Sequence, residues 1–221
     1  MSKMILVYLL LFGVVAFGQD LKTDLTTCYK TFGNNSLALD FTVSNYDWSG
    51  KKTVQNGKIR KESTSYYSSL GQQSFLINKK LYLSIDDNAK QLTYKNMGNE
   101  LPKTNVFDED LLEQQLKIAD TVLYKGKTSG LKRYELLFSG GPIVKAEIYL
   151  DQKAIRKLIY HYPKPNAEEE YEYKRTIIEY TKIETNVIGS SFFNYGKYVT
   201  KSGNKYACAK NYLGYELHEL R

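Results

Sequence analysis

The strongest constraint on the fold is a repeated alternation of apolar and polar residues in short segments separated by tight turns. Leu37, Leu39, Phe41 and Val43 alternate with small or polar residues, and a period of two predicts a half-buried β-strand. Asn, Asp and Gly occur in several of the links between such segments, where they favour turn geometry. Further strands are predicted at 54–62, 64–67, 74–77, 81–85, 91–95, 121–125, 131–138, 144–150, 156–162 and 171–184. We therefore expect an antiparallel meander.

Two segments interrupt this alternation with a helical period. Leu21, Leu25 and Cys28 fall on one face of a helix predicted over residues 20–33, and a second helix is predicted over residues 102–120. The tail from about residue 191 to 221 is rich in Tyr and Gly and predicts two or three short strands. We expect a mainly β, α+β fold in which helices cover one face of the sheet.

The first 18 residues have the organisation of a secretory signal peptide. Lys3 precedes an apolar run from Met4 to Phe17, and Ala16 and Gly18 are small residues at the positions expected before a cut at Gln19. The run is shorter than the roughly 20 residues of a membrane-spanning helix, although an uncleaved anchor or a buried helix remains an alternative. Residues 19–221 are then expected to form a single exported domain, soluble in the periplasm.

Export decides how the charge and the cysteines are interpreted. The formal net charge is +7, but an exported chain is not expected to bind nucleic acid. Cys28 and Cys208 are the only two cysteines. An oxidising compartment permits a disulfide between them, and two free thiols are the other reading. A lipid on Cys28 is disfavoured because it lies 11 residues beyond the apolar run.

Residue types that commonly serve in catalysis or metal binding are not arranged in any recognised motif in this sequence. His161 and His218 are far apart, and neither has the spacing of a metal site. A P-loop, a Gly-x-Gly-x-x-Gly loop and a nucleophile elbow are all lacking from the sequence. The expectation is a protein that is not an enzyme and has no cofactor or metal. An apolar sheet face beneath helices can instead bury an apolar ligand.

The order of these parts resembles the LolA family of periplasmic lipoprotein carriers over about residues 20–195. Residues 29–44 resemble the family's opening helix and first strand. Residues 74–82 are similar to a strand, turn and strand start, and residues 146–158 and 175–181 resemble its late strands. The resemblance implies an incomplete β-barrel closed by a helical lid, with Arg60 as the nearest candidate for a lid contact.

The resemblance also implies a function, which is to carry the acyl chains of lipoproteins or a similar amphiphile. Membrane proteins of the envelope would load and release this cargo. A structural or accessory subunit of an envelope assembly is the alternative, because one fold supports several functions. The residues expected to line an apolar cavity are Leu39, Phe41, Val43, Phe75, Ile77, Leu83, Tyr134, Leu136, Phe138, Ile148 and Ile178.

Overall fold

The computed structural model describes residues 21–30, 33, 36–97, 116–165, 172–185, 188–203 and 205–220. The predicted signal peptide lies outside the described residues, as does the predicted second helix except for residues 116–120. Of these, residues 116 and 117 are helical. Among the residues that the structure describes, no helix combines the length and the apolar composition needed to cross a membrane.

The chain is mainly β, as predicted, and every predicted strand is found within a few residues of its expected bounds. The strands are β1 (Ser36–Asp47), β2 (Lys52–Glu62), β3 (Ser65–Leu70), β4 (Gln73–Ile77), β5 (Leu81–Asp86), β6 (Gln91–Asn96), β7 (Thr121–Thr128), β8 (Leu131–Leu137), β9 (Lys145–Leu150), β10 (Ile155–His161), β11 (Tyr173–Glu184), β12 (Val199–Ser202), β13 (Lys205–Cys208) and β14 (Glu216–Glu219). Helix α1 covers residues 21–30.

The predicted turns form because short side chains bind the backbone of the residues that follow them. Asn78 accepts hydrogen bonds from the backbone N–H groups of Lys80 and Leu81, at 2.9 and 3.0 Å. The Asp86 and Asp151 carboxylates each accept two such bonds at the next two turns of this type. Such bonds let Asn and Asp replace a backbone partner in a turn, and they fix where each following strand begins.

The chain divides into two compact units. The first comprises residues 1–33, 42–54 and 106–181, and the second comprises residues 34–41, 55–105 and 182–221. The prediction of one LolA-like domain over residues 19–221 stays a prediction.

In the first unit the hydrogen-bonded strand order is β1-β11-β10-β9-β8-β7. The pairs from β7 to β11 are all antiparallel, as expected for a meander. The order does not return to its first strand, so the described strands of this unit form an open sheet. Leu21, Leu25 and Cys28 of α1 are almost fully buried, which confirms the predicted apolar face of this helix.

In the second unit the order is β14-β6-β5-β4-β3-β2-β1, again without closure among the described strands. The tail contains three short strands, as predicted, together with the 3-10 helices η1 (Ser190–Phe193), η2 (Tyr195–Lys197) and η3 (Lys210–Tyr212). Strands β12 and β13 form a hairpin, whereas β14 pairs in parallel with β6. The tail is therefore an ordered part of this unit.

Candidate functional site

Helix α1 is attached to the sheet of the first unit through one carboxylate. Asp24 accepts two hydrogen bonds from Lys132 Nζ, both at 2.8 Å, and one from Tyr134 Oη at 2.7 Å. Lys132 and Tyr134 are two positions apart on β8 and so share one face of the sheet. This contact places the buried residues Leu25 and Cys28 of α1 over the same face.

The register of the strands defines the sheet face beneath α1. Tyr134 lies opposite Ile148, which lies opposite Leu158, which lies opposite Ile178. Directly opposed residues of antiparallel strands share a face, so these four side chains form one apolar row. A parallel row of Leu136, Ala146 and Tyr160 runs beside it, nearer to the turn that joins β8 and β9.

A cavity of about 550 Å³ lies between α1 and these two rows. Its walls come from α1, from residues just before β7, from strands β8 to β10 and from the turn between β8 and β9. The residues that line it are Leu25, Tyr29, Leu116, Ile118, Leu136, Phe138, Gly140, Gly141, Pro142, Ile143, Ala146, Ile148, Ile155, Leu158 and Tyr160. The small side chain of Ala146, between Leu136 and Tyr160 on neighbouring strands, leaves space at the centre of the sheet.

The cavity has apolar walls with two hydroxyl groups. Tyr29 and Tyr160 are its polar side chains, and none of the described lining residues is charged. Burial raises the pKa of both phenols above the ordinary value, and the negative charge of an ionised Tyr29 would raise that of Tyr160 further. Both groups therefore stay protonated near neutral pH. Such a site can hold an apolar chain, whereas an isolated charge inside it would be costly.

The opposite face of the same strands is charged. Glu147 accepts hydrogen bonds or ion-pair contacts from Arg133 at 2.9 Å, Lys145 at 2.9 Å, Tyr149 at 2.9 Å and His161 at 2.8 Å. Burial raises the pKa of Glu147, but hydrogen bonds from Lys145, Tyr149 and His161 outweigh it and lower the pKa to about 2. Among the described residues, no group of three or more His, Cys, Asp or Glu side chains could hold a metal ion.

The structure brings together five of the residues predicted to line an apolar cavity. Leu136, Phe138 and Ile148 line the cavity directly. Tyr134 and Ile178 belong to the adjacent row of the same face. Their alternation in sequence identified this face, and their role in binding a ligand stays a prediction.

The predicted residues of β4 and β5 do not share a face. Leu83 lies opposite Leu76, whereas Phe75 lies opposite Ser84 and Ile77 lies opposite Tyr82. Leu83 is therefore on one face of the second unit, and Phe75 and Ile77 are on the other. Leu83 is fully buried in a cluster that the tyrosines of the tail help to cover, and Phe75 stacks on Tyr66 at 5.5 Å between ring centroids.

The predicted residues of β1 are also separate from the lining of this cavity. Leu39 and Val43 are buried, while Phe41 is half-buried with its ring against the backbone of Gly57. A Cβ atom at Gly57 would lie 2.3 Å from the ring. Glycine at this position is what allows the ring of Phe41 to lie against β2.

Among the described residues, Arg60 contacts β1, its own strand β2 and the C-terminal tail. Its guanidinium donates to the carbonyls of Leu39 at 2.7 Å and Ile59 at 2.8 Å, and it pairs with Asp40 at 2.5 Å. It also lies 5.1 Å from the ring centroid of Phe192 in η1. All of these contacts to described residues are within the second unit. Most of the predicted second helix lies outside the described residues, so the lid contact that the resemblance implies for Arg60 stays a prediction.

Both cysteines are free thiols in this structure, and whether they pair in the exported protein stays a prediction. Cys28 is buried on α1, and Cys208 is half-buried in β13 with its thiol 3.5 Å from the carbonyl of Tyr215. The two residues belong to different units.

The sequence did not single out the remaining cavity residues as a site. Leu158 and Tyr160 are two positions apart on β10, so the alternation that predicted this strand also placed them on one face. Leu25 was assigned to the apolar face of α1, but neither Leu25 nor Tyr29 was assigned to a ligand site. Residues 139–142 were predicted only as a turn, because nothing in a turn motif reveals that it faces a cavity.

A scan against protein-family models matches none, and a search of curated proteins finds no match. Solved structures similar to this chain include a LolA superfamily protein from Nitrosomonas europaea, at 7% identity over 78% of this chain and 96% of that chain, with a TM-score of 0.35. Lipoprotein LppX from Mycobacterium tuberculosis aligns at 9% identity over 77% and 98%, with a TM-score of 0.41. An uncharacterized conserved protein from Thermus thermophilus aligns at 8% identity over 78% and 91%, with a TM-score of 0.45.

A structure of the LolA superfamily, the family that the sequence resembles, is thus among the similar folds. All three TM-scores are below 0.5, so these structures carry no argument about the function of this chain.

Proposed function

We propose that this protein is a periplasmic carrier that shelters an acyl chain of a lipoprotein, or of a similar amphiphile, in the cavity of the first unit. The observation that carries the proposal is the apolar cavity of about 550 Å³ between α1 and the sheet. Volumes of this size are typical of ligand sites, which are mostly apolar with a few polar groups. Export by the predicted signal peptide would deliver the protein to the periplasm.

Binding of this kind needs no chemistry, because removing an apolar chain from water is itself favourable. Each methylene group sheltered from water contributes about 0.8 kcal/mol, so a long chain gains roughly 10 kcal/mol before the costs of association. Affinity of that order would retain the cargo in water. Membrane proteins of the envelope are the proposed partners for loading and release, since the chain must leave one membrane and enter another.

The first test is to fill the cavity. Ala146→Phe places a large ring between Leu136 and Tyr160, where the small side chain now leaves room. We expect the variant to fold and to lose binding of a fluorescent fatty-acid methyl ester. Ile159→Phe is the matched control, because Ile159 lies on the opposite face of β10, paired with Glu147. The control should bind as the wild type does.

A second measurement examines the natural cargo. Mass spectrometry of organic extracts from protein purified without detergent should detect an acyl lipid in the wild type, and much less in Ala146→Phe. If neither the ester probe nor an extracted lipid binds the wild type, the carrier proposal is wrong. A stable protein complex without lipid would then favour the alternative, a subunit of an envelope assembly.

A further inference from the structure

We propose that the cavity takes one unbranched acyl chain at a time, and that Tyr160 donates a hydrogen bond to an uncharged polar head group on that chain. The ligand class is a single-chain neutral amphiphile, such as a monoacyl ester or a fatty alcohol. This inference rests on the proposed function and narrows its ligand.

The volume sets the number of chains. A methylene group has about the volume of one water molecule in the liquid, about 30 Å³. The cavity of about 550 Å³ therefore has room for about 18 groups of this size. That number corresponds to one long acyl chain, and a lipid with two or three such chains exceeds it.

The length of the cavity agrees with its volume. On β10 the lining residues extend from Ile155 to Tyr160, a separation of five residues that measures about 16 Å at 3.3 Å per residue. The hydrocarbon core of a bilayer is about 30 Å thick, so one leaflet, which is one acyl chain deep, is about 15 Å. A single acyl chain, at the depth that it occupies in a leaflet, therefore fits along the strand direction, and Tyr160 is nearer than Ile155 to the turn between β8 and β9.

The chemistry of the walls defines the head group. None of the described lining residues carries a charge, so an ionised carboxylate drawn inside would lack a partner, at a high cost in free energy. An ester, hydroxyl or amide has no such cost once it is hydrogen-bonded. A ligand with a charged head would have to keep that group outside, in water.

Tyr160 is the donor because its hydroxyl has no hydrogen bond within the described part of the chain. The neighbouring tyrosines differ in this respect: Tyr134 donates to Asp24, Tyr149 to Glu147 and Tyr162 to Thr176. Tyr160 is half-buried and lines the cavity, so its hydroxyl is accessible to a ligand that enters. Burial also raises the pKa of Tyr160, so its proton is retained at neutral pH and is available to an acceptor on the ligand.

The test compares three lipids that share one chain type. Monopalmitoylglycerol, palmitate and the uncharged two-chain lipid dipalmitoylglycerol compete with the fluorescent fatty-acid methyl ester for the wild type at pH 8. We expect monopalmitoylglycerol to bind one to one and at least tenfold more tightly than either of the others. Equal or tighter binding of the two-chain lipid would overturn the one-chain inference, and equal binding of palmitate would overturn the uncharged head group.

The role of the hydroxyl is tested with Tyr160→Phe, which keeps the ring and removes only the donor. The loss of one hydrogen bond should weaken monopalmitoylglycerol two- to tenfold, with an unchanged thermal midpoint. Tyr149→Phe, on the opposite face, is the control and should bind normally. Unchanged affinity in Tyr160→Phe would overturn the assignment. A wild type that binds none of the acyl probes would instead refute the carrier proposal itself.

Discussion

The two units cover the apolar face of an antiparallel sheet in different ways. In the second unit Leu81, Leu83 and Ile85 of β5 are completely or almost completely buried, and side chains of the tail pack against them. The tyrosines that cover this face are Tyr195, Tyr198, Tyr206, Tyr212 and Tyr215. In the first unit the comparable face lies beneath α1, and a cavity of about 550 Å³ remains between them.

The difference shows that an apolar stripe on a strand does not by itself identify a binding face. Leu83 and Ile148 occupy similar positions in their strands and both are buried. The aromatic rings of the tail are in mutual contact, for example Tyr212 and Tyr215 at 4.8 Å between centroids. Because of that packing one face is core, while the other retains space for a ligand. What covers a stripe determines its role.

The largest expected effect compares truncations on the two faces. Leu83→Ala should lower the free energy of unfolding by about 2–5 kcal/mol, because it leaves a void in packed core. Phe138→Ala should cost less than about 2 kcal/mol, since its half-buried ring faces an existing cavity. Urea denaturation of both variants measures the difference. Equal losses would mean that the wall around Phe138 is packed as tightly as the core of the second unit.

The strands were predictable because their signal is local. Alternation in the sequence set β5 at residues 81–85, and the structure has Leu81–Asp86. The turn at Asn78 was recognisable because an Asn side chain can bind the backbone two and three residues on. The buried face of α1 was likewise visible in the spacing of Leu21, Leu25 and Cys28.

Which apolar residues lie together on one face of the sheet was not predictable, because this depends on contacts between residues that are distant in sequence. Phe75, Ile77 and Leu83 are all apolar residues of neighbouring strands, but the register puts Leu83 opposite Leu76 and away from the other two. Nothing local indicates that the tail covers Leu83, at a separation of more than 100 residues. The position of Arg60 beside Phe192 depends on the same long-range packing.

The next largest effect is a loss of stability at acidic pH, which we expect to come from the charged face of the first unit. The folded pKa of Glu147 is lowered to about 2, so its stabilising contribution is fully present above an unfolded pKa of about 4.5 and is lost as the pH falls towards 2. The shift corresponds to about 3 kcal/mol. Chemical denaturation at several pH values between 7 and 2 measures this loss.

The matched variants for the acid effect are Glu147→Gln and Glu179→Gln. Glu147→Gln should be less stable at pH 7 by about 2–3 kcal/mol and should depend less on pH below 4.5. Glu179 is half-exposed and pairs with Lys157 at 3.2 Å, and an exposed pair contributes at most about 1 kcal/mol. Glu179→Gln should therefore keep the acid dependence of the wild type. If Glu147→Gln also keeps the acid dependence of the wild type, other carboxylates are responsible for the loss of stability at low pH.

The smallest expected effect is a difference in reactivity between the two cysteines, of which each unit contains one. Burial, with the nearby carboxylates Asp151 and Asp24, raises the pKa of the Cys28 thiol to about 12. The thiolate is the reactive form, so at pH 8 iodoacetamide should modify Cys28 only after unfolding. Cys208 is half-buried, and burial raises its pKa less, so it should react first in the folded protein. Peptide mass spectrometry identifies which residue carries the label.

The same experiment decides whether the two thiols pair in the exported protein. A disulfide between Cys28 and Cys208 would close a loop of about 180 residues, worth about 5 kcal/mol by the loop-entropy model, and reduction would then lower the thermal midpoint clearly. With both thiols free, dithiothreitol should leave the midpoint unchanged and Cys208 should be labelled without prior reduction. Labelling of Cys208 that requires a reductant would show that the cysteines pair after export, and that the two units are covalently joined.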